Sequence, residues 1–295
     1  MNYFIKLSYY FVFLALWFIN SPVLAKTVIE IDYDTASFKD AKLTSQGVEV
    51  SVSYDKKEEF DEIDNLHYQI SYNGVSQLSS STYTQVMGGV SLLDLDGNGI
   101  PEVVVRTFSG GAHCCTNYTI YTQQNNQIIK TETGFLDSLG GSFQDLNDDG
   151  KLEFVSVDNS FLYAFSSYAG SFPPSQIYTF TNSKFENVTR KYPQHLRSHA
   201  WQMYQVFLES KDQYEVNGIL AGYVAQKILL GEYEQGWKFM LAHYDRTSDW
   251  GLSIDQDDRE IGNPNFPTAL RAFLIQQGYL DKNGQPLHES EFIRY

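Results

Sequence analysis

Basic residues and cysteines are scarce in this sequence of 295 residues. Lysine and arginine together number 21 against 36 aspartates and glutamates, which gives a formal net charge of −15. Such an excess of acid argues against nucleic acid and anionic membrane surfaces as partners. The only two cysteines are adjacent, and nothing near them supplies further ligands at the spacing of a zinc site.

The signatures of common catalytic sites are also missing. Ser109 lies outside any Gly-x-Ser-x-Gly turn, so serine hydrolase chemistry has no support. His195 and His199 have the spacing of a metal pair on a helix, but Leu196 stands where zinc proteases carry their catalytic glutamate. We therefore assign no catalytic residue, and the sequence favours a protein that is not an enzyme.

Long apolar runs are confined to the N-terminus. Lys6 is followed by an apolar stretch over 9–19, and Val23 and Ala25 then occupy positions −3 and −1 of a cleavage site. The pattern predicts a secretory signal peptide over 1–25, because the run is too short to span a bilayer comfortably. We expect an extracytoplasmic protein, periplasmic or secreted, without stable membrane insertion after cleavage.

The sequence does contain a pair of acidic nine-residue loops, whose starts lie 51 residues apart. The first runs from Asp94 to Glu102 and the second from Asp145 to Glu153. Each places carboxylate or amide oxygens at loop positions 1, 3 and 5, a glycine at 6 and a glutamate at 9. Oxygens at this spacing predict a calcium site, since calcium takes about six to eight oxygen ligands and accepts flexible loops.

Each loop provides a full set of candidate ligands. Those of the first loop are Asp94, Asp96, Asn98, the backbone carbonyl of Ile100, and Glu102. Those of the second loop are Asp145, Asn147, Asp149, the backbone carbonyl of Lys151, and Glu153. Asp, Asn and Gly also favour plain β-turns, which is the alternative interpretation. Two matches at equivalent places in a repeat favour calcium, which we expect to hold strand to strand without taking part in catalysis.

The surrounding sequence predicts a β-repeat domain over 26–192. Residues 48–54 alternate apolar and polar side chains, as in a half-buried strand. Each acidic loop lies between two strand-like segments, and similar segments recur at 118–122 and 176–179. Each unit predicts an antiparallel sheet of about four strands, with 48–86 as a third unit without a loop. A closed propeller needs about four blades or more, so we expect stacked antiparallel sheets or a partial propeller.

The hydrophobic period changes to that of a helix after residue 193 and predicts a helical C-terminal region over 193–295. We expect four helices, with Gly231 ending the second, Pro267 opening the fourth and Gly278 ending it. Their apolar faces contain Leu196 and Met203, Leu220 and Val224, Tyr233 and Met240, and Leu270 and Phe273. The predicted fold class is α+β.

The two acidic loops resemble those of FG-GAP and VCBS repeats, which occur in integrin-type β-propellers and in many bacterial exported proteins. The resemblance covers about a third of the chain, residues 90–189. It implies calcium binding by the loop residues named above, and adhesion or ligand recognition by the blades.

A second candidate site is the segment 109–115, which reads Ser-Gly-Gly-Ala-His-Cys-Cys. Two cysteines in an oxidising compartment usually form one disulfide, which would here join the neighbours Cys114 and Cys115. With His113, such a bridge predicts a binding turn. Buried free thiols and a reducible pair are the alternatives.

We predict an exported, calcium-stabilised β-repeat protein that acts as a non-enzymatic binding or structural module, with a protein or a glycan as its ligand. Two alternatives stay open. One is an extracytoplasmic hydrolase with a site near His113, and the other is a redox-responsive module that uses Cys114 and Cys115.

Overall fold

The computed structural model describes residues 27–57, 63–137, 140–210, 215–252 and 265–287. The predicted signal peptide over 1–25 lies outside the described residues. Among the described helices, none combines the length and the apolar character needed to cross a membrane.

The described part of the N-terminal region consists of short antiparallel strands. In chain order they are β1 (Val28–Ile31), β2 (Phe38–Ser45), β3 (Val48–Tyr54), β4 (Leu66–Tyr72), β5 (Val75–Thr82), β6 (Gly88–Leu93), β7 (Glu102–Phe108), β8 (Cys114–Gln124), β9 (Gln127–Glu132), β10 (Leu136–Asp137), β11 (Ser142–Gln144), β12 (Glu153–Val157), β13 (Ser175–Thr181) and β14 (Lys184–Asn187).

These strands form three sheets. The first sheet has the order β2-β3-β4-β5, and the third sheet has the order β11-β12-β13-β14. The central sheet has the order β1-β6-β7-β8-β10, and β9 also pairs with β8. The prediction of stacked antiparallel sheets is confirmed, and the predicted unit of strand, acidic loop, strand and hairpin is found twice, as β6–β9 and β11–β14.

The central sheet is covered on both faces, and this explains the run of valines in β7. Val103 and Val105 belong to the apolar core shared with the first sheet, which includes Val50. Val104 belongs to the core shared with the third sheet, which includes Phe154. Because successive side chains of a strand point to opposite faces, a strand between two cores has no position for an exposed residue.

The C-terminal region is helical. Its helices are α1 (Pro193–Ser210), α2 (Val216–Leu229), α3 (Tyr233–His243) and α4 (Phe266–Gln276). The four predicted helices are therefore confirmed. Gly231, two residues after the last residue of α2, has a φ of +74°, a left-handed conformation that favours glycine and ends the helix. At the start of α4, Asn265 accepts a hydrogen bond from the amide of Thr268 (3.1 Å) and caps the helix.

The core of the helical region extends beyond the helices. Phe161 and Phe165 precede β13, and their rings lie 4.9 Å and 5.3 Å from the ring of Phe273 in α4. Both belong to the cluster of buried residues formed by the helices. The domain boundary at 192/193 stays a prediction, but the helical core includes side chains from the preceding segment.

Candidate metal loops and the His-Cys-Cys turn

The first acidic loop joins β6 to β7, two neighbouring strands of the central sheet. Leu93 lies opposite Glu102 in this pairing, so the loop begins and ends at adjacent points of the hairpin. Directly opposed residues of an antiparallel pair have Cβ atoms only about 4.5–5.5 Å apart. The strand register thus brings Asp94, at loop position 1, close to Glu102, at loop position 9.

Backbone amides fold the loop around Asp94. Its Oδ1 accepts hydrogen bonds from the amides of Gly97 (2.9 Å) and Asn98 (3.1 Å), and its Oδ2 accepts one from Gly99 (2.9 Å). Gly97 and Gly99 have φ values of +74° and +83°, which glycine adopts at little cost. The amide of Ile100 donates to Asn98 Oδ1 (2.7 Å). Ile100, whose carbonyl is a predicted ligand, therefore lies at the end of this turn.

Three carboxylates converge inside this loop. One oxygen each of Asp94, Asp96 and Glu102 lie within 4.8 Å of one another. Asn98, the remaining predicted side-chain ligand, donates from Nδ2 to Asp96 Oδ2 (3.0 Å) and is therefore beside the cluster. Carboxylate and amide oxygens are the ligands that calcium prefers, so the residues present fit a calcium ion.

Glu102 is the buried member of the cluster, with 1% of its surface exposed. Its Oε2 accepts a hydrogen bond from the amide of Leu95 (2.9 Å). Burial raises the pKa of Glu102 to about 7, and the negative charges of Asp96 and Asp94 add to the rise. A carboxylate that is buried among like charges costs free energy in its ionised form, and a bound cation would offset that cost.

A buried hydroxyl group close to Glu102 supports the same interpretation. The Tyr72 hydroxyl at the end of β4 is buried and has no hydrogen-bond partner among the described residues. Burial, with a contribution from the charge of Glu102, raises the pKa of Tyr72 to about 12. A buried polar group without a partner costs about 1–3 kcal/mol. Two costly buried groups therefore lie close together: the Glu102 carboxylate of the first loop and the unpartnered Tyr72 hydroxyl of the first sheet.

The second acidic loop joins β11 to β12 with the same backbone plan. Asp145 accepts hydrogen bonds from the amides of Asp149 (3.2 Å) and Gly150 (2.8 Å), as Asp94 does from Asn98 and Gly99. Glu153 accepts one from the amide of Leu146 (3.1 Å), as Glu102 does from Leu95. Equivalent loop positions thus have equivalent partners in the two loops.

The side chains of the second loop differ in ways that change its electrostatics. Asn147 donates from Nδ2 to Asp149 Oδ2 (2.9 Å), so the amide and the acid at loop positions 3 and 5 are exchanged relative to the first loop. The amide of Lys151, the side chain of Asn147 and the charge of Lys151 all lower the pKa of Asp149. Within the described ranges, the convergence of three carboxylates is found in the first loop and not in the second.

The two loops lie next to each other. A Cβ atom on Gly97 would lie 3.1 Å from Cε of Lys151, so the lysine side chain of the second loop crosses the first. The Tyr192 hydroxyl hydrogen-bonds to Glu153, and Tyr192 directly precedes α1. The second loop is therefore linked to the start of the helical region through Tyr192, whereas Tyr72 of the first sheet feels the charge of Glu102 without bonding to it.

The His-Cys-Cys segment forms a closed turn between β7 and β8. The Ser109 amide donates to the Cys115 carbonyl (3.0 Å), and the Cys115 amide donates to Ser109 Oγ (2.8 Å). Cys114 and Cys115 form a disulfide. A Cβ atom on Gly111 would lie 2.1 Å from the Cys114 carbonyl oxygen, so this close turn requires glycine.

His113 is exposed and packs against aromatic side chains from distant segments. Its ring stacks on Tyr168 with a centroid distance of 4.1 Å and lies 6.5 Å from Tyr163. Tyr163 has a φ of +59°, which is uncommon for a bulky residue, and its carbonyl accepts a hydrogen bond from Trp250 Nε1 (3.0 Å). The imidazole is thus held in an aromatic cluster, and the described contacts give His113 no proton-transfer partner.

Sequence reasoning missed the aromatic partners of both sites. Tyr72, in a strand of another sheet, feels the charge of Glu102, and Tyr192, just before α1, hydrogen-bonds to Glu153. Tyr163 and Tyr168 reach His113 from the segment before β13. None of these residues is close in sequence to the group that it contacts, and no spacing rule links them.

Comparison with known proteins identifies a similarity that differs from the predicted one. Residues 186–278 match the family model described as the sll0997 C-terminal domain. The chain is 39% identical over 220 residues to the "Probable thylakoid lumen protein sll0997" of Synechocystis sp., which covers 70% of this chain and 65% of that protein. It is 32% identical over 206 residues to the "Uncharacterized protein y4bJ" of Sinorhizobium fredii, covering 64% of this chain and 32% of that protein.

These alignments span less than two thirds of the length of either relative. No solved structure matches the chain. The predicted resemblance to FG-GAP and VCBS repeats is wrong, because the family found is the sll0997 C-terminal domain and neither repeat family is found. Short Asp-, Asn- and Gly-rich loops recur on unrelated scaffolds because the same turn chemistry favours them, so two such loops do not identify a family.

Proposed function

We propose that this chain is an extracytoplasmic, calcium-stabilised β-sheet protein that acts as a non-enzymatic binding or structural module. Its location is supported by the N-terminal signal pattern and by the similarity to a protein named as a probable resident of the thylakoid lumen, a compartment outside the cytoplasm. Its ligand in this proposal is a protein or a glycan.

The convergence of Asp94, Asp96 and Glu102 within 4.8 Å is the observation that carries the calcium proposal. A bare cluster of this kind is destabilised by repulsion and by the burial of Glu102. Calcium suits it better than magnesium, because the ligands are numerous and the loop is irregular, whereas magnesium demands near-octahedral geometry and keeps its water. The second loop repeats the backbone plan and is proposed as a second, weaker site.

Calcium bound here would supply positive charge and coordination at a hairpin end. Asp94, Asp96, Asn98 and Glu102 would hold it with their side chains, and Ile100 with its carbonyl. Each loop connects two adjacent strands, so an ordered loop would hold these strand ends together, and the second loop is also linked to Tyr192. The function of the metal in this proposal is structural.

The proposal is tested by thermal unfolding of the full exported chain in chelator and in millimolar calcium. A calcium concentration a hundredfold above the dissociation constant should stabilise the native state by about 2.7 kcal/mol per site. The double variant Asp94→Asn, Asp145→Asn should lose this shift, and magnesium at the same concentration should not reproduce it.

A matched control is available at Asp281. Its Oδ1 accepts hydrogen bonds from the amides of Asn283 (2.8 Å) and Gln285 (2.8 Å), which is a turn of the same type. No carboxylate cluster includes Asp281 among the described residues. Asp281→Asn should therefore keep the full calcium shift. Equal melting temperatures of the wild-type chain in calcium and in chelator would reject the calcium proposal.

A further inference from the structure

An open groove of about 340 Å³, called the cavity below, lies between α1 and α2 and extends to the turn between α2 and α3. Its α1 wall is formed by Arg197, Ala200, Trp201 and Tyr204, which share one helical face at spacings of three and four residues. The remaining lining residues are Tyr223 and Lys227 of α2, and Leu230 and Glu232 of the turn. A volume of about 300–1,000 Å³ is typical of small-molecule sites.

The charge of this cavity is opposite to that of the chain as a whole. The chain has a net charge of −15, yet two cations and one anion line the cavity. Lys227 forms an ion pair with Glu232, and its side chain is only 13% exposed. Arg197 has no ion pair or hydrogen bond within the described part of the chain. The cavity therefore has one cation whose charge is unmatched.

Aromatic rings accompany this unmatched cation. Trp201 is 61% exposed, although the buried residues Leu196 and Met203 of the same helix show that α1 has a well-packed apolar face. The Trp201 and Tyr204 rings are 5.6 Å apart at an interplanar angle of 33°. Tyr204 also packs on Phe239 at 5.7 Å, whereas Trp201 takes no part in the helical core. Arg197 and Trp201 lie one helical turn apart on the same face of α1, so an exposed ring and an unpaired cation line one groove.

We propose that this cavity binds a small organic anion that carries a flat ring, of which an aromatic carboxylate is the simplest example. The Arg197 guanidinium pairs with the anionic group, since its planar fork matches a carboxylate in a bidentate arrangement. Trp201 and Tyr204 contact the ring of the ligand. Lys227 is held by Glu232, and its ammonium group lies 5.9 Å from the Tyr223 ring centroid, so it contributes to the field at the cavity floor.

All eight lining residues fall within residues 186–278, the segment that matches the sll0997 C-terminal domain. The cavity therefore belongs to the helical region alone and needs neither the acidic loops nor the His-Cys-Cys turn. The inference is independent of the calcium proposal, and each can fail without the other.

The test is isothermal titration of the full exported chain with naphthalene-2-carboxylate, in chelator and again in millimolar calcium. Naphthalen-2-ylmethanol and naphthalen-2-ylmethylamine serve as the neutral and cationic analogues of the same ring. We expect saturable binding of the carboxylate that weakens with salt, at least tenfold weaker binding of the neutral analogue, and none of the amine. Binding in both calcium conditions is expected, which separates this result from the fate of the loops.

Two exposed substitutions identify the site. Arg197→Gln and Trp201→Ala should each weaken carboxylate binding at least tenfold, and the melting temperature should stay unchanged because neither side chain is buried. Lys238→Gln, which removes an exposed cation from α3, is the matched control and should leave binding unchanged.

Several results would overturn the proposal. They are the absence of carboxylate binding, equal binding of all three ring compounds, and equal weakening by Arg197→Gln and Lys238→Gln. A change in oligomeric state on Trp201→Ala, measured by sedimentation and without carboxylate binding to the wild-type chain, would assign the face to contacts between protein chains instead.

Discussion

The two acidic loops have the same sequence pattern and the same backbone, but they lie in different electrostatic surroundings. In the first loop, Asp94, Asp96 and Glu102 converge next to a buried tyrosine hydroxyl that has no partner among the described residues. In the second, a hydroxyl hydrogen-bonds to Glu153, and Lys151, whose side chain also passes Gly97 of the first loop, lowers the pKa of Asp149. The comparison teaches that one loop pattern gives one backbone course, whereas the carboxylates that converge and the groups around them differ between the two loops.

The largest expected effect is an unequal loss of calcium stabilisation from the two loops. Asp94→Asn should remove more of the calcium-induced shift, which is about 2.7 kcal/mol per site at a hundredfold excess, than Asp145→Asn does. The reason is that three carboxylates converge around Asp94. Calcium titrations followed by thermal unfolding measure both losses, with Asp281→Asn as the control. Equal losses would remove the distinction between the loops.

A smaller effect is expected from the pH dependence of the calcium-free protein. The pKa of Glu102 is about 7 in the folded chain against an ordinary value of 4.5, so the folded state holds this proton more tightly. Its stabilising contribution is complete below about pH 4.5 and is lost as the pH rises through about 7.

Denaturant unfolding in chelator between about pH 4 and pH 8 measures this contribution. Glu102→Gln keeps the acceptor for the Leu95 amide and removes the titration, so the stability of wild type relative to this variant should fall with rising pH. Glu186→Gln, at an exposed position of β14, is the control. A difference that does not change with pH would show that Glu102 carries no such coupling.

The smallest expected effect is a change in the free energy of unfolding that has opposite signs for the tyrosines near the two loops. Tyr72→Phe removes a buried hydroxyl that has no partner among the described residues, so it should stabilise the calcium-free protein by about 1 kcal/mol. Tyr192→Phe removes a hydroxyl that donates to Glu153, so it should destabilise the protein by about 1 kcal/mol. Denaturant unfolding in chelator gives both values. Changes of the same sign would contradict the structural comparison.

Much of the fold could be predicted because it depends on local periodicity. Alternation over Val48–Tyr54 predicted a strand whose valines are buried, and the helical spacing of Leu196 and Met203 predicted α1. Hydrophobic periodicity predicts less about α2, because other parts of the protein cover this helix on all sides. In α2, both Leu220 and the polar Gln226 are fully buried, and Gln226 Oε1 accepts a hydrogen bond from the Ser175 amide (2.8 Å).

The candidate sites were only partly predictable, for a related reason. Spacing alone placed Asp94, Asp96 and Glu102 at one hairpin end, because the strand register returns the chain to its starting point. Spacing also suggested a repeat family, and that inference was wrong, because the same turn chemistry serves unrelated scaffolds. The sequence analysis did not single out Arg197 or Trp201, because the groove that they line depends on where α2 lies.

The sequence by itself determined the strands, the helices and the course of the two loops, since each depends on a local pattern of residues. It also fixed the acidic excess, which is a matter of composition. The tertiary structure alone decided which tyrosine lies near which loop glutamate, which rings surround His113, and how α1 and α2 line an open groove. These contacts join residues far apart in the chain. They arise from the burial of apolar faces, which is not directional. Such contacts therefore produce no residue pattern of fixed spacing from which they could be predicted.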